Sequence, residues 1–432
     1  MPSSTPRRWA DLAGLRVGVW GVGVEGRATL AALAARGIEP AAVVDDQPSG
    51  EGVLATTDGG LDALAACDVV VKSPGISRRK PPVTDLEAAG VAVVGGLGLW
   101  LEEVGPDRVI GVTGTKGKST TVSVAAHLAR GLGVRAEAGG NLGVVPWAPD
   151  APADVDLWVI EVSSYQATDL WSSPAVAAVT SLHPDHLDWH GGVDAYVADK
   201  LSLCGRPGAR ITVANGDDEQ LRLHADLLRP GPRWVTLAGA DVSWTAPLGL
   251  RGHHNERNAL IAAACLQEAG VAGADDPDRL AAAAVGYQPL PHRLQTVAVV
   301  DGVEYVDDSL STNVLPTIVA AEVFEGRPLT LLVGGYDRDI DYTPLATFAA
   351  ARSAPTVVCT LPQNGERIAA AMAAAGVEVV RCADLPEAVA EARARTPEGG
   401  VVLLSPAAAS YGRYRSYRER GEAFAAAVRA LT

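Results

Sequence analysis

Lysine is scarce in this sequence. Only five of its 36 lysines and arginines are lysine: Lys72, Lys80, Lys116, Lys118 and Lys200. Where arginine serves by default, a remaining lysine is a candidate for work that arginine cannot do. Arginine does not give up its proton, and its planar fork does not fit a point-charge site. A basic surplus is missing too. The net charge of −15 leaves nothing to neutralise a phosphate backbone, so nucleic acid is not an expected partner. The five cysteines, Cys67, Cys204, Cys265, Cys359 and Cys382, are odd in number and contain no C-x-x-C pair. That pattern indicates neither a zinc knuckle nor a disulfide framework, and a reducing, cytoplasmic setting is expected. The N-terminal MPSSTPRRWADLAG lacks the apolar core of a signal peptide, and no apolar run approaches the roughly 20 residues of a membrane span. No membrane partner is therefore expected. Coiled-coil, low-complexity and short-period repeat patterns are absent as well.

What is present is an ordinary globular composition, 48% hydrophobic and 20% charged, over 432 residues, enough for two to four domains. Near the start, LRVGVWGVGVEGRATLAALAARGIEPAAVVDD reads as strand, glycine turn, helix, strand. Gly21, Gly23 and Gly26 form G-x-G-x-x-G, and Asp45 follows 19 residues after Gly26, where a ribose-binding acid would sit. The motif alone admits a nicotinamide cofactor, another nucleotide diphosphate, or a turn kept only for packing. A helix N-terminus recognises the anion and not the base. DVVVKSPGI and GVAVVGGLGLWLEE continue this unit to about residue 106. Further on, DRVIGVTG, DLWVIEVSS, VAAVTSL and ARITVANGDD are continuous apolar strands between helical segments, which predicts a parallel sheet covered on both faces. TLLVGG, TVVCT, VEVVR and GVVLLSP then alternate with helical PEAVAEARAR and GEAFAAAVRAL. The expected architecture is α/β in three domains, 1–106, 107–292 and 293–432.

The chemistry concentrates in GVTGTKGKSTTVSVAAHLARGLG. Standard phosphate loops place four residues between the first glycine and the Gly-Lys pair, but here the residue five before Gly117 is Val112. The working parts are nevertheless complete. Gly114 and Gly117 let backbone N–H groups turn inward, Lys118 reaches outer phosphates, and Ser119 or Thr120 can hold Mg²⁺. The following helix points its positive end at the anion. Glu161 ends the strand LWVIE, and HPDHLDWH brings Asp185, His186 and Asp188 after the next strand. Acids at the carboxyl ends of parallel strands lie where ligands gather. Two Mg²⁺ ions would suit a reaction in which phosphate meets carboxylate. Lys200, in helical VDAYVADKLSL, reads from the residues alone as either a surface lysine or a working one.

The ordered motifs GTKGKST, GGNLG, EVSSYQ, DHLD, HNERN, LPHR, DDSLSTN and LLSPAAAS resemble the Mur ligases across nearly the whole chain. The match is closest to the MurD branch, which adds glutamate to UDP-N-acetylmuramoyl-L-alanine. Folylpolyglutamate synthetases share the central loop but not the glycine-turn first domain. The resemblance implies a Rossmann-like UDP-binding domain, a central P-loop ATPase domain and a Rossmann-like C-terminal domain. It also implies an ATP-dependent, ADP-forming amide ligase acting through an acyl phosphate in cytoplasmic peptidoglycan precursor synthesis, expected as a monomer.

By the same resemblance ATP falls to Gly114, Thr115, Lys116, Gly117, Lys118, Ser119 and Thr120, with Asn255, Asn258, Arg293 and Asp308. Catalysis falls to Lys118, Glu161, His186 and Lys200. Metal binding falls to Ser119, Thr120, Glu161, His186 and Lys200, the last as a carbamate, which only an amine able to lose its proton can form. Gly21, Gly23, Gly26 and Asp45 would serve UDP, and Asn141, Ser163 and Gln166 the muramoyl-alanine end. Thr312, Arg338, Ser410 and Tyr417 would hold glutamate.

Three departures fall on that last group. The family's D-S-K-x-T-N has lysine third, where this chain has Leu310. Its G-G-x-x-K lysine is Arg338 here, and Tyr417 stands where phenylalanine is common. The cations that meet two carboxylates are thus rearranged. That favours an L-glutamate acceptor, with ordinary D-glutamate addition as the alternative. A nicotinamide dehydrogenase, a small-molecule kinase and a non-catalytic binder each leave part of the motif series unused.

Overall fold

The computed structural model describes residues 5–228 and 231–431. Three sheets follow one another along the chain. The first is parallel throughout, in the spatial order Leu54–Ala55, Ala42–Asp45, Val17–Trp20, Val69–Lys72, Ala92–Gly95. The strand Val17–Trp20 is buried along its whole length, as its unbroken apolar run requires. At the turn that follows, a Cβ on Gly26 would lie 1.8 Å from the Gly21 carbonyl oxygen, so only glycine lets the helix Val24–Ala35 pack this close.

The second sheet is also parallel, in the order Arg233–Val235, Ile211–Asn215, Val176–Val179, Val109–Thr113, Leu157–Glu161, Ala136–Gly140. Val109–Thr113 lies at its centre, so the loop after it is flanked by the carboxyl ends of two neighbours. The edge strand Ala136–Gly140, sequence AEAGG, carries no β-branched residue and is invisible to propensity; pairing with Leu157–Glu161 creates it. These two sheets share one hydrophobic cluster containing Trp9, Leu99, Trp147 and Trp158. Together with 255–287 they form one compact unit, 1–248 and 255–287.

The other unit, 249–254 and 288–432, holds a mixed sheet in the order Gln295–Val300, Val303–Asp307, Val401–Leu404, Leu329–Gly334, Thr356–Leu361, Glu378–Arg381. Its first two strands form an antiparallel hairpin, and the rest are parallel. The alternation of strands and helices predicts the parallel part. The hairpin lies in LQTVAVVDGVEYVDD, whose chemistry-bearing end masks its strand pattern. Among the described residues no helix is long and apolar enough to cross a membrane.

Candidate active site

The loop Gly114–Gly117 leads directly into the helix Lys118–Gly131, as its composition predicts. Gly117 caps the helix in the left-handed region at φ 88°, and a Cβ there would lie 2.5 Å from Asn258 Oδ1. That closeness places Asn258 against the loop, and Asn258 in turn donates to Asn255 Oδ1 at 3.3 Å. Ser119 and Thr120 are buried on the first helical turn, where unsatisfied N–H groups and the helix dipole attract an anion.

Two lysines converge on this loop. Lys118 Nζ donates to the Gly114 carbonyl at 2.8 Å and to that of Thr115 at 3.3 Å. Lys200 Nζ donates to the same Gly114 carbonyl at 3.1 Å. Lys200 is only 3% exposed, so its helix, Val193–Leu201, turns it inward and not to the surface. Burial, followed by the charge of Lys118, pushes its amine well below the ordinary lysine range. The Tyr196 ring lies 5.0 Å from Lys200 Nζ, and the Tyr196 hydroxyl is 2.7 Å from Thr115 Oγ1. The loop and the lysine helix are therefore tied through one tyrosine.

Glu161, 3% exposed, ends the adjacent strand. Its Oε1 accepts from Asn141 Nδ2 at 3.2 Å, while Oε2 has no hydrogen-bond partner. A buried carboxylate oxygen without a partner is costly, and a hard cation would satisfy it. Carboxylate and hydroxyl oxygens, of the kind Glu161, Ser119 and Thr120 carry, are the ligands Mg²⁺ prefers. His186 sits in the left-handed region at φ 52° with its side chain 52% exposed. Among the described residues no three His, Cys, Asp or Glu side chains converge as a ready metal cage. The Asp185–His186–Asp188 cluster does not close on itself. Asp185 Oδ2 faces Lys116 Nζ at 4.0 Å and His186 Nε2 at 3.8 Å, while the Asp188 carbonyl accepts from Lys80.

Behind Lys200 lies a network that the motifs do not reveal. Asp199 accepts from His190 Nδ1 at 2.8 Å, and His190 Nε2 is 3.0 Å from Ser164 Oγ. Arg79, from the first sheet's region, forks onto both Asp199 oxygens, with Nε to Oδ2 at 3.0 Å. Trp189 Nε1 donates to the Gly75 carbonyl at 2.7 Å. A second bridge joins Lys72 to Asp169 at 2.5 Å, with Arg78 Nε on the other Asp169 oxygen at 3.0 Å. Lys72 is thus a structural lysine and Lys80 an exposed donor to a backbone carbonyl, and only the scarcity of lysine pointed to them. Asp169, Asp199 and Arg79 carried no sequence signal.

In the first domain, Asp45 Oδ2 accepts from the Val22 amide at 2.6 Å and Oδ1 from the Gln47 amide at 2.9 Å. The acid thereby braces the glycine turn, and Gly23 beside it is open to solvent. Ser163 caps the helix Ser164–Ala167 in a reciprocal box with Gln166. Gln166 Nε2 also reaches Glu25 Oε1 at 2.7 Å, which draws the glycine-turn helix to the EVSSYQ segment. Burial raises the Glu25 carboxyl to about 7.

In the C-terminal unit, Asp308 is buried and accepts from Ser405 Oγ at 2.8 Å and the Leu294 amide at 3.3 Å. Burial lifts its carboxyl to about 7, with neighbouring Arg293 among the opposing influences. Arg338 Nη2 donates to the Thr312 carbonyl at 2.6 Å. The Tyr417 carbonyl accepts from Ser309 Oγ at 2.8 Å, and its ring meets His292 edge-on at 6.0 Å. Ser410 is buried against the end of the strand Leu329–Gly334.

Comparison with known proteins gives this arrangement a family. Residues 112–245 match the Mur ligase middle domain, and 292–408 the Mur ligase, glutamate ligase domain. A UDP-N-acetylmuramoyl-L-alanine–L-glutamate ligase from Salinispora tropica is 43% identical, covering 98% of this chain and 99% of that protein. A UDP-N-acetylmuramate–alanine ligase from Thermotoga maritima shares the fold at a TM-score of 0.60 and 17% identity, covering 97% of this chain and 100% of that one. MurF from the same organism, solved with ADP, aligns at 0.57 and 15% identity over 96% and 95%. The chain therefore belongs to the Mur ligase family and is an ATP-dependent, amide-forming ligase.

Proposed function

We propose that this enzyme joins L-glutamate to UDP-N-acetylmuramoyl-L-alanine, with ATP cleaved to ADP and phosphate. The observation that carries the reading is the meeting of Lys118 and Lys200 on one loop carbonyl beside the unpartnered oxygen of Glu161. The Lys118 point charge, a metal-seeking carboxylate and a buried lysine amine able to carry a carbamate suit a reaction in which an anionic carboxylate must approach an anionic phosphate.

In the first step a carboxylate oxygen of the precursor's alanine attacks the γ-phosphorus, and the bond to the ADP oxygen breaks. The amino nitrogen of glutamate then attacks the acyl carbon. The C–N bond forms, phosphate leaves, and the nitrogen gives a proton to solvent. Lys118 holds the transferring phosphoryl group, and the first turn of its helix binds the phosphates. Asn255 and Asn258 serve the adenine side, with Arg293 and Asp308. Mg²⁺, held by Ser119 or Thr120 with Glu161 and by His186 with Lys200, would supply charge neutralisation between the two anions. Lys200 is the residue to carry a carbamate. Its lone pair attacks the carbon of CO₂, and the nitrogen loses a proton to solvent. The shielded position beside Lys118 supports that chemistry.

The glycine turn with Asp45 takes the UDP end, and Asn141, Ser163 and Gln166 the muramoyl-alanine end. Thr312, Arg338, Ser410 and Tyr417 take glutamate. The L enantiomer is favoured by neutral Leu310, by Arg338, and by the 43% identical L-glutamate ligase of Salinispora tropica. The test supplies the purified enzyme with UDP-N-acetylmuramoyl-L-alanine, ATP, Mg²⁺ and each glutamate enantiomer in turn. Faster phosphate release with L-glutamate is expected. Faster release with D-glutamate overturns the L assignment, and no release with either overturns the substrate assignment.

A further inference from the structure

The C-terminal unit contains a pocket at the carboxyl ends of two parallel strands, Leu329–Gly334 and Thr356–Leu361. It is lined by Gly334, Gly335, Gln363, Ser410, Arg413 and Arg420. Strand ends of this kind are where open α/β sheets bind ligands. Arg420 is 1% exposed. Its Nε donates to Ser309 Oγ at 3.0 Å, Nη2 to the Ser309 carbonyl at 2.9 Å, and Nη1 to the Ala408 carbonyl at 3.0 Å. A guanidinium has five N–H donors, so these three bonds do not exhaust it.

All three acceptors are neutral. The carboxylate whose charge acts on Arg420, Asp307, is itself hydrogen-bonded by His292 Nδ1 at 2.7 Å and by the Ser309 amide at 2.9 Å. Burial accordingly lowers the guanidinium to about 10. A buried cation without an anionic partner is costly, and an arriving anion would offset that cost. At the rim, Arg413 donates to the Ala383 carbonyl at 2.7 Å, lies 3.7 Å from Asp384 Oδ2 in a solvent-exposed pair, and stays half exposed. The other candidate cation, Arg338, spends a donor on the Thr312 carbonyl, and Leu310 has none to offer.

We propose that Arg420 is a specificity-determining binding residue. The pocket it lines takes one carboxylate of the acceptor amino acid, with Arg413 assisting at the rim. The proposal rests on the reading that glutamate is the acceptor. It assigns to Arg420 and Arg413 the positive charge missing at position 310. Arg420 also fixes Ser309 and Ala408, so DDSLSTN and SPAAAS are set in register by the same side chain that meets the ligand.

The test is steady-state kinetics of the full-length enzyme and its Arg420→Lys and Arg413→Gln variants, with KM measured separately for ATP, precursor and glutamate. Arg420→Lys keeps the charge but loses the fork. It should raise KM for glutamate about tenfold or more while leaving KM for ATP within about twofold. Arg413→Gln, at the exposed rim, should raise KM for glutamate about threefold and keeps the question answerable if Arg420→Lys does not fold. Glutamine and isoglutamine each lack one carboxylate. The variants should discriminate less than the wild type against one of them, which identifies the carboxylate held.

Unchanged KM for glutamate in the variants that fold overturns the proposal. So does a parallel rise in all three KM values with a fall in Tm, which marks Arg420 as a loop brace only. A wild-type enzyme that turns over with no glutamate at all removes the underlying reading instead.

Discussion

Lys118 and Lys200 in one unit, and Arg338 and Arg420 in the other, all donate to backbone carbonyls, yet they solve different problems. The lysines bring compact ammonium heads to one loop with an orphaned carboxylate oxygen nearby. The arginines are forks, and Arg420 uses three donors to hold two loops at once. All five lysines lie between residues 72 and 200, and the C-terminal unit has none. Point charge is placed where charge moves during reaction. Fixed planar geometry is placed where a small acceptor must be recognised.

Replacing Lys118 with methionine breaks the lysine side of this contrast most severely. Phosphate release should fall about 10³-fold, the scale of losing a charge aimed at a developing anion. Lys200→Arg keeps a cation but cannot carry CO₂, so activity should fall about 10²-fold. A carbamate ¹³C signal is expected in the wild type with labelled bicarbonate and should be absent from that variant. A retained signal would place the label on another amine.

Asp199→Asn tests the support behind Lys200. Arg79 is half exposed and His190 is buried, so breaking the network should cost about 2 kcal/mol of stability in thermal unfolding, less than a fully buried ion pair. An unchanged Tm would show that the network contributes nothing.

On the arginine side, Asp308 carries the pH signature. Its carboxyl is raised from 3.8 to about 7 in the folded protein, so the folded state binds the proton more tightly than the unfolded one. The associated stability is complete below about pH 3.8 and is lost as pH rises through about 7. Asp308→Asn should flatten that part of the profile by roughly 2–3 kcal/mol, read from denaturant unfolding at pH 5 and pH 8. The smallest effect is expected at Arg338→Gln. Its guanidinium already faces a carbonyl at an exposed rim, so KM for glutamate should rise about threefold. A larger effect there than at Arg420 would shift the carboxylate-binding role from Arg420 to Arg338.

The parts that were legible in the sequence are those whose chemistry is local. GTKGKST encodes its own turn and helix start, and Glu161 follows from an apolar strand that ends in an acid. Lys200 was legible as a resemblance, but the residues alone left it between surface and site. Illegible were the partners that packing supplies. Arg79 meets Asp199 across 120 positions, Lys72 meets Asp169 across 97, and Arg420 meets Ser309 across 111. Arg79, Asp199, Asp169 and Arg420 read as ordinary charged surface positions, and nothing within a helical turn or a strand repeat names the distant partner of any of them.

The amino-acid order by itself determined the phosphate loop, most of the succession of α/β elements and the family, because backbone turns, apolar runs and spaced motifs are short-range properties. Tertiary structure alone decided that Lys200 is buried beside Lys118, that one oxygen of Glu161 is left without a partner, and that Arg420 lines a pocket with no carboxylate of its own. Burial and charge pairing depend on which distant segments exclude water from a side chain, and that is set only when the sheets and their connecting loops pack.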